Sequence, residues 1–424
     1  MKILNMDDAG STPERKYLLE TIENVMNDLT PENAMKEHFN VDLKIFQNIY
    51  LIGFGKAAYG MYAGIRDHLL GQLAYAGIII PDDQEEPDLF PELEILRGTH
   101  PYVSQLSVDS SIKLLSGIGK LSEDDLVIVL ISGGGSSLFE IPEKGVRIDD
   151  IKAISKEIMD HDGDIYTLNR IRSLLSSVKG GKLAGMLHPA SVVSYIISDV
   201  IYDDMAIIAS GPLVKSEPVK EISLLVSQYV KTEELVRIIV EKGIPGPRED
   251  RYFSSIENKI ILCNSDFVNA IFSRMEGEKI TLGSNINGDV NSVAADIGAI
   301  LRSVYDLKGR GFHFVCGGET TVNVKGAGYG GRNQELVLRL LKSMDANEKY
   351  TFCSIGTDGI DGKSTAAGGI VDQDTRIGGL DKYLDNNDSY NALSSCHGTI
   401  LTGRTGNNVS DLIVGYYSGG NDNF

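Results

Sequence analysis

NIYLIGFGKAAYGMYAGIRDHLL, residues 48–70, reads as a strand that turns directly into a helix. Residues 48–54 form an apolar run of strand length, and 57–70 carry helical spacing, with only Gly55 and Lys56 between them. A strand and helix joined this tightly make a βα unit, the building block of a mainly parallel sheet. The same signal recurs outward from it. YAGIIIP (75–81), DLVIVLI (125–131) and SVVSYIIS (191–198) read as further strands, while DIYTLNRIRSLLSSVKGGKLAGML (164–187) mixes helix with a Gly-broken basic stretch.

Pro and Gly cluster in GIPGPRED (243–250), which places a domain boundary there and divides the chain into 1–244 and 245–424. A chain of 424 residues is long enough for two domains, each with its own core. The second half restarts the pattern. Its expected strands are KIILCN (259–264), KITLGS (279–284), GFHFVCG (311–317), TTVNVK (320–325), YTFCSIG (350–356) and TILTG (399–403). Helical spacing covers 289–307 and 333–344.

A formal charge of -19 argues against nucleic acid and anionic membrane as partners, because such a surface repels phosphate polymers. An anionic substrate must therefore be met by local positive groups. Cys263, Cys316, Cys353 and Cys396 form no CxxC pair and read as reduced thiols. No apolar run approaches the roughly 20 residues that span a bilayer, and the first residues lack a signal-peptide core, so a cytoplasmic location is expected.

Chemistry concentrates in Gly-rich loops after strands, where open α/β sheets bind ligands. ISGGGSS (131–137) follows an apolar strand; it is either a phosphate cradle of backbone N–H groups or a tight turn for close packing. Lys56 in GFGKAA (53–58) stands before a helix, placed to meet an anion or to face solvent. KGAGYGGRNQE (325–335) contains a GxGxxG match at Gly326, Gly328 and Gly331. The acidic residue that a dinucleotide site places about 20 residues on is missing, with Asp345 at a helix end instead. The loop is read as bringing Arg332 to a carboxylate or phosphate.

GTDGIDGKST (356–365) has one residue too many between Gly356 and Gly362 for a Walker A loop. Its carboxylates, Asp358 and Asp361, suit magnesium or general-base work, or else an Asp/Gly turn. Asp199, Asp203 and Asp204 in SDVIYDDMAIIASGP (198–212) and Lys179 and Lys182 in SSVKGGKLAG (176–185) could hold metal and polyphosphate, or be surface turns. His100 in RGTHPY reads as a hydrogen-bonded structural histidine. No GxSxG, HExxH or CxxC motif appears, so anion handling beside carboxylates points to phosphoryl transfer.

Taken in order, GFGKAA, GTHP, SGGGSS, LNRIRSLLSSVKGGKLAG, SDV with ASGP, GGETTVNVKGAGYGGRNQE, GTDGIDG and TGRTGNNVSDL resemble the class II glycerate kinases, the MOFRL-domain family of glycerate 2-kinases. The resemblance runs from residue 53 to 412. It implies a Rossmann-like, mainly parallel first domain, a smaller α/β second domain, and an active site in the cleft between them. It also implies transfer of the γ-phosphoryl group of ATP to the 2-hydroxyl of D-glycerate with Mg²⁺ or another divalent cation, and is compatible with a homodimer. The family's essential lysine falls on Lys56 and its essential arginine on Arg332.

Within the matched motifs, chemistry assigns catalysis and metal binding to Asp199, metal binding to Asp358, and a looser role to Glu319. ATP phosphates are expected at Ser132, Gly133, Gly134, Gly135, Ser136, Ser137, Lys179 and Gly180. The chain departs from the family where SDV is followed by Ile201-Tyr202 in place of a Pro-Gly turn, and where Arg404 replaces a frequent proline. The rivals are an NAD(P)H-dependent hydroxypyruvate reductase, supported locally by the GxGxxG match, and a binding protein that does not turn over ATP.

Overall fold

The computed structural model describes residues 1–84, 90–161, 163–216 and 222–419. They form two compact units, one of Pro31–Ile261 and one that combines Met1–Thr30 with Leu262–Phe424.

The first unit is built on a six-stranded sheet of β1 (Asn48–Phe54), β2 (Leu73–Pro81), β3 (Glu94–Gly98), β4 (Asp125–Ile131), β5 (Ser191–Ile197) and β6 (Ile256–Leu262). Their spatial order is β3-β2-β1-β4-β5-β6, and the strands from β3 through β5 pair in parallel. All of DLVIVLI in β4 is buried, as expected of a central parallel strand covered on both faces. Ile52, Val127, Val129 and Ile131 pack with Leu138, Leu183 and Leu187 in one core.

The chain leaves β1 toward β2 on one side, and leaves β4 toward β5 on the other. The carboxyl ends of β1 and β4 therefore flank the topological switch point of the sheet. Their register ends at the pair Phe54 and Ile131, so the loops that begin at Gly55 and Ser132 emerge side by side.

The second unit carries β7 (Lys279–Thr281), β8 (Ile286–Asp289), β9 (Phe312–Thr321), β10 (Lys349–Gly356), β11 (Gly368–Asp372), β12 (Thr399–Ile400) and β13 (Asp411–Ser418). Their order is β12-β11-β10-β13-β9-β7, with β8 also beside β9. β7 and β8 run parallel to β9, whereas β13 is antiparallel to both β9 and β10. The second half thus does not restart the parallel pattern: a strand from far along the chain inserts between β9 and β10. TTVNVK forms no strand of its own, because β9 continues through Gly317 and Gly318 to Thr321. A Cβ at Gly318 would stand 2.0 Å from Ile286 O, so glycine here lets β8 close on β9.

The boundary expected at 244/245 lies instead at 261/262, because 256–262 completes the first sheet as β6. The first 30 residues also join the second unit. Thr12 caps the helix Pro13–Asp28 by accepting the Arg15 N–H, and the helix buries Leu18, Leu19, Ile22 and Val25. Arg15 is itself buried in a 2.6 Å ion pair with Asp372 at the end of β11, a contact across 357 residues. Among the described residues no helix is long and apolar enough to cross a membrane.

Candidate active site

The loops after β1 and β4 are laced together by their backbones. Lys56 N–H donates to Gly133 O at 2.9 Å, Ala57 N–H to Ser132 Oγ at 3.0 Å, and Ser132 N–H to Phe54 O at 3.2 Å. Gly55 has φ +132, and a Cβ there would stand 2.1 Å from Ser132 Oγ, so a side chain would push the loops apart. A Cβ on Gly134, at φ +84, would lie 3.0 Å from His100 Cδ2 and 3.6 Å from Lys56 Cγ. GFGKAA, GTHP and SGGGSS therefore meet at the switch point, with the ring of His100 beside Gly134.

The residues of SGGGSS divide by role. Ser132 is buried and accepts from Ala57, and Ser137 Oγ donates to Gly134 O at 3.1 Å, so both hydroxyls hold the loop's own shape. Ser136 Oγ lies 2.9 Å from Ser210 Oγ, and Ser210 in turn donates to Asn169 Oδ1 at 2.8 Å. Arg172 Nη2 donates to Ser136 O at 3.1 Å, while its buried Nε has no partner among the described residues. Gly133 and Gly135 complete the turn, with Gly134 entering the short helix Gly135–Leu138.

Lys179 does not present its ammonium to a ligand. It is wholly buried, donating to Glu140 Oε2 at 2.7 Å and Phe139 O at 2.9 Å. Burial pushes it down to about 8, against the opposing pull of Glu140. Lys182 is likewise spent, on Glu143 at 2.7 Å and Ser176 O at 2.6 Å. The basic stretch supports the fold because apolar packing closes over it. Gly180, at φ +59, donates its N–H to Ser210 O at 3.0 Å and so props the ASGP loop.

Asp199 follows β5 and is half-buried. The loop beyond it holds Tyr202, Asp203, Ala209 and Ser210 at φ between +50 and +66, a left-handed conformation that non-glycine residues rarely adopt. Strain of this kind collects at functional sites. Tyr202 stands where the resembled family has the glycine of its Pro-Gly turn, so the turn survives without the glycine.

In the second unit, Arg332 opens the helix Arg332–Ser343. Its Nε donates to Asp411 Oδ2 at 2.6 Å and Nη2 to Asp411 Oδ1 at 3.0 Å, while Nη1 lies 2.8 Å from Glu319 Oε1. Burial works against the guanidinium charge, but Asp411 and Glu319 outweigh it and raise its pKa above the ordinary arginine value. Asp411 was not singled out from the sequence. Its signal was available, as the acidic residue of TGRTGNNVSDL at the head of the apolar run that becomes β13.

Asp361 is buried and accepts from Asn333 N at 3.1 Å, Gln334 N at 2.9 Å and Gln334 Nε2 at 2.9 Å, closing the helix N-terminus from a neighbouring loop. Burial pushes its carboxyl up to about 6, with the helix amides pulling the other way. It is occupied as a cap. Asp358 is half-buried; a Cβ on Gly356 would lie 3.4 Å from Asp358 Oδ1 and 3.5 Å from Asp411 Oδ1, so both carboxylates flank Gly356. Among the described residues no group of three or more His, Cys, Asp or Glu has a metal-holding arrangement.

The GxGxxG glycines serve packing. A Cβ on Gly326 or Gly328 would come within 2.3 and 2.5 Å of Asn386 O, and one on Gly331 within 2.3 Å of Asp361 Cγ. The strands flanking this loop, β9 and β10, are separated by β13 and so are not adjacent members of a βαβ unit.

Residues 17–240 match the family described as "Domain of unknown function (DUF4147)", and residues 312–411 match the MOFRL family. A protein named glycerate 2-kinase from Picrophilus torridus is 52% identical over 98% of this chain and 99% of its own length. A relative from Agrobacterium vitis named putative hydroxypyruvate reductase is 33% identical, covering 85% of this chain and 97% of that one. The crystal structure of a glycerate kinase from Thermotoga maritima superposes with a TM-score of 0.82 at 31% identity, covering 94% of this chain and 98% of that one. With its motifs, sheet order and whole-length similarity in agreement, the chain belongs to the MOFRL family of glycerate 2-kinases.

Proposed function

We propose that this protein transfers the γ-phosphoryl group of ATP to the 2-hydroxyl of D-glycerate, giving 2-phosphoglycerate and ADP. The observation that carries the reading is the meeting of Lys56, His100 and the SGGGSS loop at the switch point between β1 and β4, where α/β sheets bind ligands. In the transfer the glycerate 2-oxygen bonds to Pγ, the bond from Pγ to the bridging oxygen breaks, and the hydroxyl proton leaves to a base. Such a reaction asks the protein for positioning and charge stabilisation more than for covalent chemistry.

Lys56 supplies positive charge to the transferred phosphoryl group, and the backbone around Gly133 and Gly134 follows the phosphates. Asp199 takes the carboxylate role, as proton acceptor or metal ligand. Arg332 is oriented by Asp411, and its outer Nη1, now on the part-exposed Glu319, is where a substrate carboxylate would bind. Asp199 of the first unit, or Asp358 of the second, would hold Mg²⁺ through a carboxylate oxygen, since that ion takes one or two carboxylates beside phosphate oxygens and water. Bound Mg²⁺ supplies further neutralisation of phosphate charge.

Phosphorus NMR of the product from ATP, Mg²⁺ and D-glycerate tests the reading. A 2-phosphoglycerate resonance is expected; its absence, with NADH oxidised by hydroxypyruvate instead, would establish the reductase. The packed GxGxxG glycines argue against that alternative.

A further inference from the structure

The first unit contains a cavity of about 710 Å³ that the reading above leaves without an occupant. Its wall includes Asn169, Gly180, Ser210 and Gly211, the residues that connect to the SGGGSS loop through the Ser136–Ser210 contact of 2.9 Å. Apolar wall is provided by Leu174, Ile207 and Val214, and Tyr166 adds an aromatic ring that is 47% exposed. Arg170 and Arg248 also line it against one acidic side chain, Asp204, while Lys215 is paired at 2.6 Å with Asp250. This is a local excess of positive charge on a chain whose net charge is -19.

Size and chemistry narrow the occupant. Clefts of roughly 300–1,000 Å³ hold ligands of drug size, whereas a three-carbon acid would leave most of this volume filled with water. A flat ring system finds a stacking face in Tyr166, and a polar edge finds the Asn169 amide, whose Oδ1 is held by Ser210. Gly246 keeps one wall close, since a Cβ there would stand 1.8 Å from Gly180 O.

We infer that this cavity takes the base and ribose of a purine nucleoside triphosphate, whose phosphate chain passes Ser210 and Ser136 to the loop at Lys56. The inference rests on the kinase reading and deepens it by locating the nucleoside. Ser210 is the floor shared by nucleoside cavity and phosphate loop, and its left-handed backbone sets the Oγ between Ser136 and Asn169.

The chain has no tryptophan, so Tyr166→Trp creates a single tryptophan, excited selectively over the 18 tyrosines of the natural chain, in the cavity wall. Its emission should fall saturably on titration with ADP and stay constant with D-glycerate alone. Ala206→Trp, on an exposed wall residue, should raise the KM for ATP at least tenfold and leave the KM for glycerate within twofold. Circular dichroism confirms that each variant is folded. Emission indifferent to ADP overturns the assignment, as does a folded Ala206→Trp enzyme with an unchanged ATP KM. A wild-type enzyme that makes no ADP with glycerate would defeat the kinase reading instead, and the response of Tyr166→Trp to ADP would still decide the cavity.

Discussion

Asp411 grips the guanidinium of Arg332 through two N–H bonds, Nε to Oδ2 at 2.6 Å and Nη2 to Oδ1 at 3.0 Å. The pairing fixes the plane of the fork and leaves Nη1 directed at the carboxylate of Glu319. Lysine preserves charge but cannot make this bidentate contact. Arg332→Lys should lower kcat/KM for glycerate by roughly 100-fold, about 2.7 kcal/mol of transition-state stabilisation. Asp411→Asn should act in the same direction more weakly, through glycerate KM, with ATP KM unchanged. Steady-state kinetics with each substrate varied in turn separate these effects, and equal losses for both substrates would remove Arg332 from the carboxylate.

Lys56 has a different expected signature. Its ammonium is proposed to act on charge that develops during transfer, so Lys56→Ala should lower kcat by about 100- to 1,000-fold, as loss of a single electrostatic stabiliser does. Because the loop is held by the Lys56 and Ala57 backbone N–H groups, which the substitution keeps, the melting temperature should barely move. Single-turnover kinetics under saturating substrates measure the chemical step, and near-normal turnover would sink the role.

Strand positions in the first unit were legible because parallel strands buried on both faces are continuous apolar runs: 48–54 and 125–131 coincide with β1 and β4. Lys56 and Arg332 were singled out because each lies in a loop between a strand and a helix and falls on the lysine and arginine of the resembled family. The second sheet was harder, since its neighbours come from distant sequence. Nothing local to 411–418 says that it separates β9 from β10, and nothing in 13–28 says that Arg15 will pair with Asp372. Lys179 was misread for a related reason. A lysine among glycines resembles an exposed phosphate ligand, and only tertiary packing reveals the Glu140 that consumes it.

That buried pair has a measurable consequence. Lys179→Met leaves Glu140, which has no solvent exposure, without its ion-pair partner, and should destabilise the protein by about 3–5 kcal/mol. Replacing both, Lys179→Met with Glu140→Leu, should recover most of that loss. Denaturant titrations of wild type, the single variant and the double variant at one pH measure both steps, and a Lys179→Met protein as stable as wild type would contradict the pairing.

Tyr202 offers a prediction of opposite sign. It holds φ +66 and ψ 6 in the loop that follows Asp199, with a side chain 67% exposed. A left-handed backbone costs a non-glycine residue about 1–2 kcal/mol. Glycine removes that cost but gives back roughly 0.5–1 kcal/mol through its greater freedom in the unfolded chain. Since an exposed ring forfeits little packing, Tyr202→Gly should stabilise the protein by about 0.5–1 kcal/mol, or roughly 1–4 °C in Tm for a unit of this size. Turnover should stay within twofold, because the turn that carries Asp199 keeps its conformation. Calorimetry and kinase assays on the same preparation test both statements. A lower Tm would mean that contacts of the tyrosine ring outweigh the strain in its backbone.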